Sequence, residues 1–153
     1  MSTPSPADVS PLSPAEERFM RSLTRLLVVL PRKLDADLTR STGLSATDYF
    51  VLVHLSEAPR RRMRMTDLAT GSAMSMSGVS RVIDRLQKIG LVARERCPDD
   101  GRGWEAVLTD DGLRGLQDAW VVHLASARAH IFDHLGEVDL ESVAAAFERI
   151  ADC

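Results

Sequence analysis

Apolar residues return every three or four positions along most of this chain, the spacing that puts them on one side of a helix. The first such stretch follows Ser13, an N-cap residue with Pro14 at the first helical position and Glu16 placed to complete a capping box. Leu23, Leu26, Leu27, Leu30, Leu34 and Leu38 then form one stripe, which Pro31 is expected to kink. A second helix is predicted from the Ser45 cap through Tyr49, Phe50, Leu52, Val53 and Leu55 to about Ser56, ending before Pro59. A short third helix, Asp67 to Thr70, has Thr66 as its cap, and Gly71-Ser72-Ala73 supplies a tight turn. Ser75 then caps a fourth helix through the backbone N–H of Gly78.

That fourth helix is the most pronounced amphipath. At about 100° per residue, Val79, Val82, Ile83, Leu86 and Ile89 fall on one arc, while Ser77, Ser80, Arg81, Asp84, Arg85 and Lys88 fall on the other. Gly90 ends it. Two short extended segments follow, Leu91 to Cys97 and Trp104 to Thr109, joined by the turn-forming Pro98-Asp99-Asp100-Gly101-Arg102-Gly103. Thr109 caps a long helix with the stripe Leu113, Leu116, Trp120, Leu124, Ala127, Ile131 and Leu135, and a last helix follows Asp139 with Leu140, Val143, Ala144, Phe147 and Ile150. The pattern therefore predicts an α+β fold, mainly α with a small β-hairpin wing: a winged helix-turn-helix at 45–109, flanked by helices at 13–42 and 110–153 and preceded by a proline- and serine-rich arm at 1–12.

Length and composition agree with this. The 153 residues are 44% hydrophobic, enough for one domain's core, and the 27% that are charged argue against a membrane protein. The longest apolar run, Leu26 to Leu30, falls far short of the roughly 18 residues of a bilayer span, and no signal peptide is evident, so a cytoplasmic protein is expected. Charge changes the picture more. The chain totals −3, yet the segment from Arg60 to Arg102 carries ten basic and five acidic residues. Salt screens charge beyond about 8 to 10 Å, so an acidic remainder does not cancel a local basic face. Hydroxyls and cations opposite an apolar arc are the groups that meet phosphates and base edges of a DNA duplex.

The residues also resemble a known family, the MarR-type transcription regulators. The resemblance runs through Met65-Thr66-Asp67-Leu68-Ala69, Ser77-Gly78-Val79-Ser80-Arg81-Val82-Ile83-Asp84-Arg85-Leu86 with Gly90-Leu91-Val92, Asp100-Gly101-Arg102, and Leu108-Thr109-Asp110-Asp111-Gly112. Asp-x-Arg and Leu-Thr-x-x-Gly are its specific part, and looser similarity extends from about Ser13 to Ile150. Gly78 departs from it, since relatives often carry a larger polar residue there. The resemblance implies a homodimer joined through the terminal helices and binding double-stranded DNA at a palindromic operator, with half-sites about one helical turn apart. Ser77, Arg81 and Arg85 would lie near base edges in the major groove. Lys88 and the backbone amides near Ser75 would serve phosphates, with Gly78 and Ser80 at the same surface. Arg102, oriented by Asp100, would enter the minor groove.

The resemblance further implies a ligand-responsive repressor. Its effector would be a small aromatic or phenolic acid in a pocket for which Phe50, His54 and Trp120 are candidate lining residues, or else plain core. No cofactor is expected and no metal ligand is assigned. Two other switches are weighed: His123, His130 and His134 share a helix face by spacing, and Cys97 beside Arg96 stands in an electropositive setting open to oxidation. No Gly-rich phosphate loop, G-x-S-x-G or H-E-x-x-H is present, so an enzyme is not expected. A winged module serving protein contacts alone is the remaining alternative, set against it by the pairing of Arg81 with Arg102.

Overall fold

The computed structural model describes residues 10–97 and 103–152. Six α-helices and three strands follow in the order α1 (Pro14–Thr42), α2 (Ala46–Glu57), β1 (Arg62–Arg64), α3 (Met65–Gly71), α4 (Met76–Lys88), β2 (Val92–Arg96), β3 (Trp104–Leu108), α5 (Asp110–His130) and α6 (Leu140–Ala151). The predicted caps act where local sequence places them. Ser13 accepts from Glu16 N–H while the Glu16 carboxylate takes the Ser13 N–H at 2.8 Å, a complete capping box. α1 continues through Pro31 to Gly43, whose φ of 75° ends it in the left-handed conformation. Ser45 and Asp48 form a second capping box at the start of α2, and Asp35 on α1 accepts the Ala46 N–H at 2.8 Å, fixing the corner between these helices.

Two local expectations are corrected, the start of α3 and the number of strands, and the turn forms as expected. α3 begins at Met65, with Arg64 at the cap position and no side-chain cap, so Thr66 lies inside the helix. Its hydroxyl bonds to Asp67 rather than to a free backbone amide. In the expected turn that follows, Ala73 takes a positive φ, 51°. The Met74 N–H to Ala69 carbonyl bond of 2.9 Å closes that turn around the unfavourable residue. The strands run Val92–Arg96 and Trp104–Leu108, and a third strand, β1, pairs with the far side of β3 to give an antiparallel sheet of order β1-β3-β2. Three residues of alternating Arg and Met carry too little pattern to announce a strand.

The core lies where α2, α3, α4, the sheet and the middle of α5 meet. Leu38 and Leu44 enter it from the end of α1, with Tyr49, Leu52, Leu55, Leu68, Val79, Ile83, Leu86, Val92, Ala106, Leu108, Leu116 and Ala119 from the other elements. On α4 the buried arc is Val79, Val82, Ile83 and Leu86, whereas Ile89 is exposed because the helix closes at Lys88. α5 is rotated from its expected stripe. It buries Gly112, Leu116, Ala119, Ser126 and Ala127, leaving Trp120 and Leu124 outward, and stops at His130 before Ile131 and Leu135.

Large apolar side chains remain uncovered at the chain ends. α1 buries only Leu38, leaving Phe19, Met20, Leu26, Leu27, Val28 and Val29 exposed, and α6 buries none of its residues. No helix among the described residues is long and apolar enough to cross a membrane.

Candidate nucleic-acid interface

The helix-turn-helix is α3 and α4. Ser75 caps α4 by accepting the Gly78 N–H at 3.1 Å, and its hydroxyl also lies 3.1 Å from that of Ser77. Ser75, Ser77, Arg81 and Lys88 are exposed, and Gly78 and Ser80 are half-buried. Gly78 has a packing reason beside any functional one. A Cβ there would meet Ser75 Oγ at 3.2 Å and Met74 Cε at 3.3 Å, pressing on the cap of its own helix.

Arg85 is placed differently from its neighbours. It turns toward α2, where its Nε donates to both Asp48 oxygens at 3.0 and 3.2 Å and its Nη2 bonds Oδ1 as well. Asp48 is buried and also accepts from Ser45, so the pair fastens α4 to the start of α2. The sequence carried a signal for this in the Ser45–Asp48 spacing of a capping box, which put a carboxylate at a known place; only the fold brought Arg85 to it.

Part of the positive segment is paired within the chain. Arg61 pairs with Asp110 at 3.2 Å, Arg62 with Glu95 at 3.1 Å and Glu105 at 3.3 Å, and Arg94 with Asp84 at 3.0 Å. Arg81 and Lys88 make no ion pair among the described residues, so they are the unpaired cations of α4, beside the half-exposed Asp84 and Arg85, which are paired. In the wing, the Arg96 guanidinium stacks 4.5 Å from the centre of the Trp104 ring, and the Cys97 N–H donates to the Gly103 carbonyl at 3.1 Å. Asp100 and Arg102 lie outside the described residues.

The other candidate sites separate. Phe50 and His54 line a cavity of about 350 Å³ with Thr47, Gly71 and Met74, but Trp120 lines another, of about 330 Å³, with Val53, Leu116 and Gln117. Of the histidines, His123 stacks on Tyr49 with ring centres 4.8 Å apart, and burial lowers its pKa. His130 contacts Asp37 through Nε2 at 2.9 Å at the end of α5, while His134 lies in the following 3-10 turn, so the shared helix face does not form. Among the described residues no three or more His, Cys, Asp or Glu side chains converge as a metal site. Cys97 is 2% exposed, which shields the thiol from the solvent access that oxidation sensing requires.

A helix-turn-helix followed by a β-hairpin, inside a frame of terminal helices, defines a winged helix-turn-helix protein. The model of the MarR family matches residues 42–103. AbsC, a MarR family transcriptional regulator from Streptomyces coelicolor, is 38% identical with a TM-score of 0.84, over 94% of this chain and 97% of that one. Sco3205 of the same organism and family, solved in complex with DNA, is 35% identical with a TM-score of 0.85, over 94% of this chain and 91% of that one. CouR from Rhodococcus jostii RHA1, solved with p-coumaroyl-CoA, shares the fold at 21% identity and a TM-score of 0.74, over 92% of this chain and 96% of that one. No curated protein sequence matches significantly. The chain belongs to the MarR family of transcriptional regulators.

Proposed function

We propose that this chain is a ligand-responsive repressor that binds a palindromic operator as a homodimer and blocks transcription by occupying it. The observation that carries the reading is the outward face of α4, where Ser77, Arg81 and Lys88 are exposed beside the capped helix start at Ser75, while Val79, Val82, Ile83 and Leu86 anchor the opposite face. A helix held this way presents hydroxyls and two cations to a major groove. Ser75, Ser77, Gly78 and Ser80 approach the duplex near the N-terminus of α4, where backbone amides suit a phosphate. Arg81 reads base edges, Lys88 meets a phosphate, and Arg85 serves by holding α4 against α2. Asp100 and Arg102 act in the wing, as the family resemblance implies. The DNA-binding part is 45–109, and 13–42 with 110–153 joins two copies.

The uncovered apolar faces of α1 and α6 support the homodimer, because a monomer rarely leaves so many large apolar side chains in water. For the effector, the cavity at Phe50 and His54 lies against the turn between α3 and α4, so a small aromatic or phenolic acid seated there would move the start of α4. Trp120 belongs to a different cavity and is not part of that pocket.

The test is a titration of the purified chain against its own promoter fragment and random duplex DNA over a range of salt, with a promoter-reporter assay for the sign of regulation. Salt-dependent preference for the promoter is expected. Arg81→Ala should lower the discrimination, Lys88→Ala should reduce the salt slope by about 1, and Arg102→Ala should weaken binding by about 1 to 3 kcal/mol. Equal, salt-insensitive affinity for both DNAs would leave the protein-contact module as the better reading.

A further inference from the structure

α4 carries a carboxylate where a purely electrostatic grip on phosphates would exclude one. At about 100° per residue, Ser77, Arg81, Asp84 and Lys88 fall within about 60° of one another, so Asp84 stands on the face assigned to DNA, at one side of it next to Ser77. Left bare, that charge would repel the duplex. Arg94 reaches across from β2 to meet it: its Nη1 lies 3.0 Å from Asp84 Oδ1, and its Nη2 donates to the Ser80 carbonyl at 3.2 Å. The guanidinium side chain is only 25% exposed, so it is held in place by the sheet and by the helix it contacts. The Asp84 side chain is 53% exposed, and among the described residues its carboxylate accepts no hydrogen bond. The face thus holds a half-exposed carboxylate whose charge is balanced by Arg94.

We infer that Asp84 is a specificity-determining residue, accepting a hydrogen bond from the N4 amino group of a cytosine in each operator half-site. The inference rests on the DNA-binding reading above. An ionised carboxylate only accepts, so it matches an amino donor and is repelled by the N7, O6 and O4 acceptors of the major groove. Adenine offers its N6 amino group directly beside N7. Cytosine offers N4 without an acceptor next to it on the same base, so it is the base that an acceptor-only side chain favours. Arg94 positions the carboxylate and need not touch DNA.

Selection of bound duplexes from a random pool tests this with the full chain, as wild type, Asp84→Ala, Asp84→Asn and Arg94→Ala. The wild type should enrich cytosine at one symmetry-related position of each half-site. Asp84→Ala should lose that preference and keep the rest of the site, with about a tenfold smaller ratio of affinities for duplexes bearing cytosine or thymine there. Asp84→Asn should move the preference toward adenine, because an amide both donates and accepts. Arg94→Ala should bind more weakly overall yet still prefer cytosine. The same selected site in the wild type and both Asp84 variants would overturn the inference and leave DNA binding standing. Loss of the preference in Arg94→Ala would also overturn it, by showing that Asp84 acts only through the ion pair. A wild type that selects no sequence would overturn the underlying reading itself.

Discussion

Gly112 allows no side chain, for a reason of distance rather than conformation. A Cβ built there would lie 2.0 Å from the Leu91 carbonyl oxygen and 2.6 Å from Leu108 Cδ1. The same carbonyl is bound by Thr109, whose hydroxyl hydrogen faces the Gly90 and Leu91 carbonyls at 2.8 and 3.0 Å while its oxygen accepts the Gly112 N–H at 2.9 Å. Thr109 and Gly112 therefore seat the start of α5 directly on the chain that leaves α4, which explains physically why Leu-Thr-x-x-Gly follows the wing. Gly112→Ala should destabilise the fold by about 3 kcal/mol, since backbone must move to admit the methyl group. Urea unfolding of the variant beside the wild type measures it; a loss within about 0.5 kcal/mol would mean that α5 shifts freely at this point.

Between elements, polar side chains set the relative placement of helices. Asp48 and Arg85 tie α2 to α4, Asp84 and Arg94 tie α4 to β2, and Asp37 on α1 accepts from Ser126 at 2.6 Å and contacts His130 at 2.9 Å, both on α5. The hydrogen bond from Ser126, and then that with His130, lowers the Asp37 pKa. His123, also on α5, makes a pH-dependent contribution of its own. Its ring lies among Tyr49, Phe50 and Trp120, its Nδ1 is buried with no hydrogen-bond partner among the described residues, and desolvation lowers its pKa. The unfolded chain therefore binds this proton more readily than the folded one. Stability from this site is whole above the unfolded value near about 6.5 and is lost as pH falls through that value toward the lower folded one. Thermal melts at about pH 7.5 and about pH 5.5 should show a smaller fall for His123→Phe than for the wild type. Equal falls would mean that His123 takes up its proton without cost to the fold.

At the scale of the whole molecule, the described chain has a closed core around the helix-turn-helix and open apolar faces at its ends. Leu27 is 66% exposed, Val121 66% and Ile150 63%, so replacing any of them removes little packing within a single chain. On the proposed homodimer, Leu27→Glu and Ile150→Glu should therefore leave the circular dichroism of the protein near that of the wild type and shift sedimentation toward the monomer. They should also abolish the advantage of a two-half-site duplex over a single half-site, because each copy then docks alone. Variants that stay dimeric would move the join elsewhere on the surface.

Helices, caps and the order of the motif were legible in the amino-acid sequence because each depends on residues within about four positions of one another. Ser13 with Glu16, Ser45, Ser75 with Gly78, Thr109 with Gly112, and the buried arc of α4 all follow from that short range. The exposed Ser77, Arg81 and Lys88 were legible for the same reason: they stand opposite that arc. Contacts between distant residues were not. Which side of α5 turns inward depends on what α1 and α2 offer it, β1 exists because β3 has a second edge to pair, and the half-exposed Arg85 is bound because Asp48, 37 residues away, stands beside it. Local sequence thus determined the helices, most of their caps and the buried arc of α4, because these depend on near neighbours, whereas the tertiary structure decided which side of α5 is buried, that β1 forms, and which charges are cancelled within the chain and which remain for a partner.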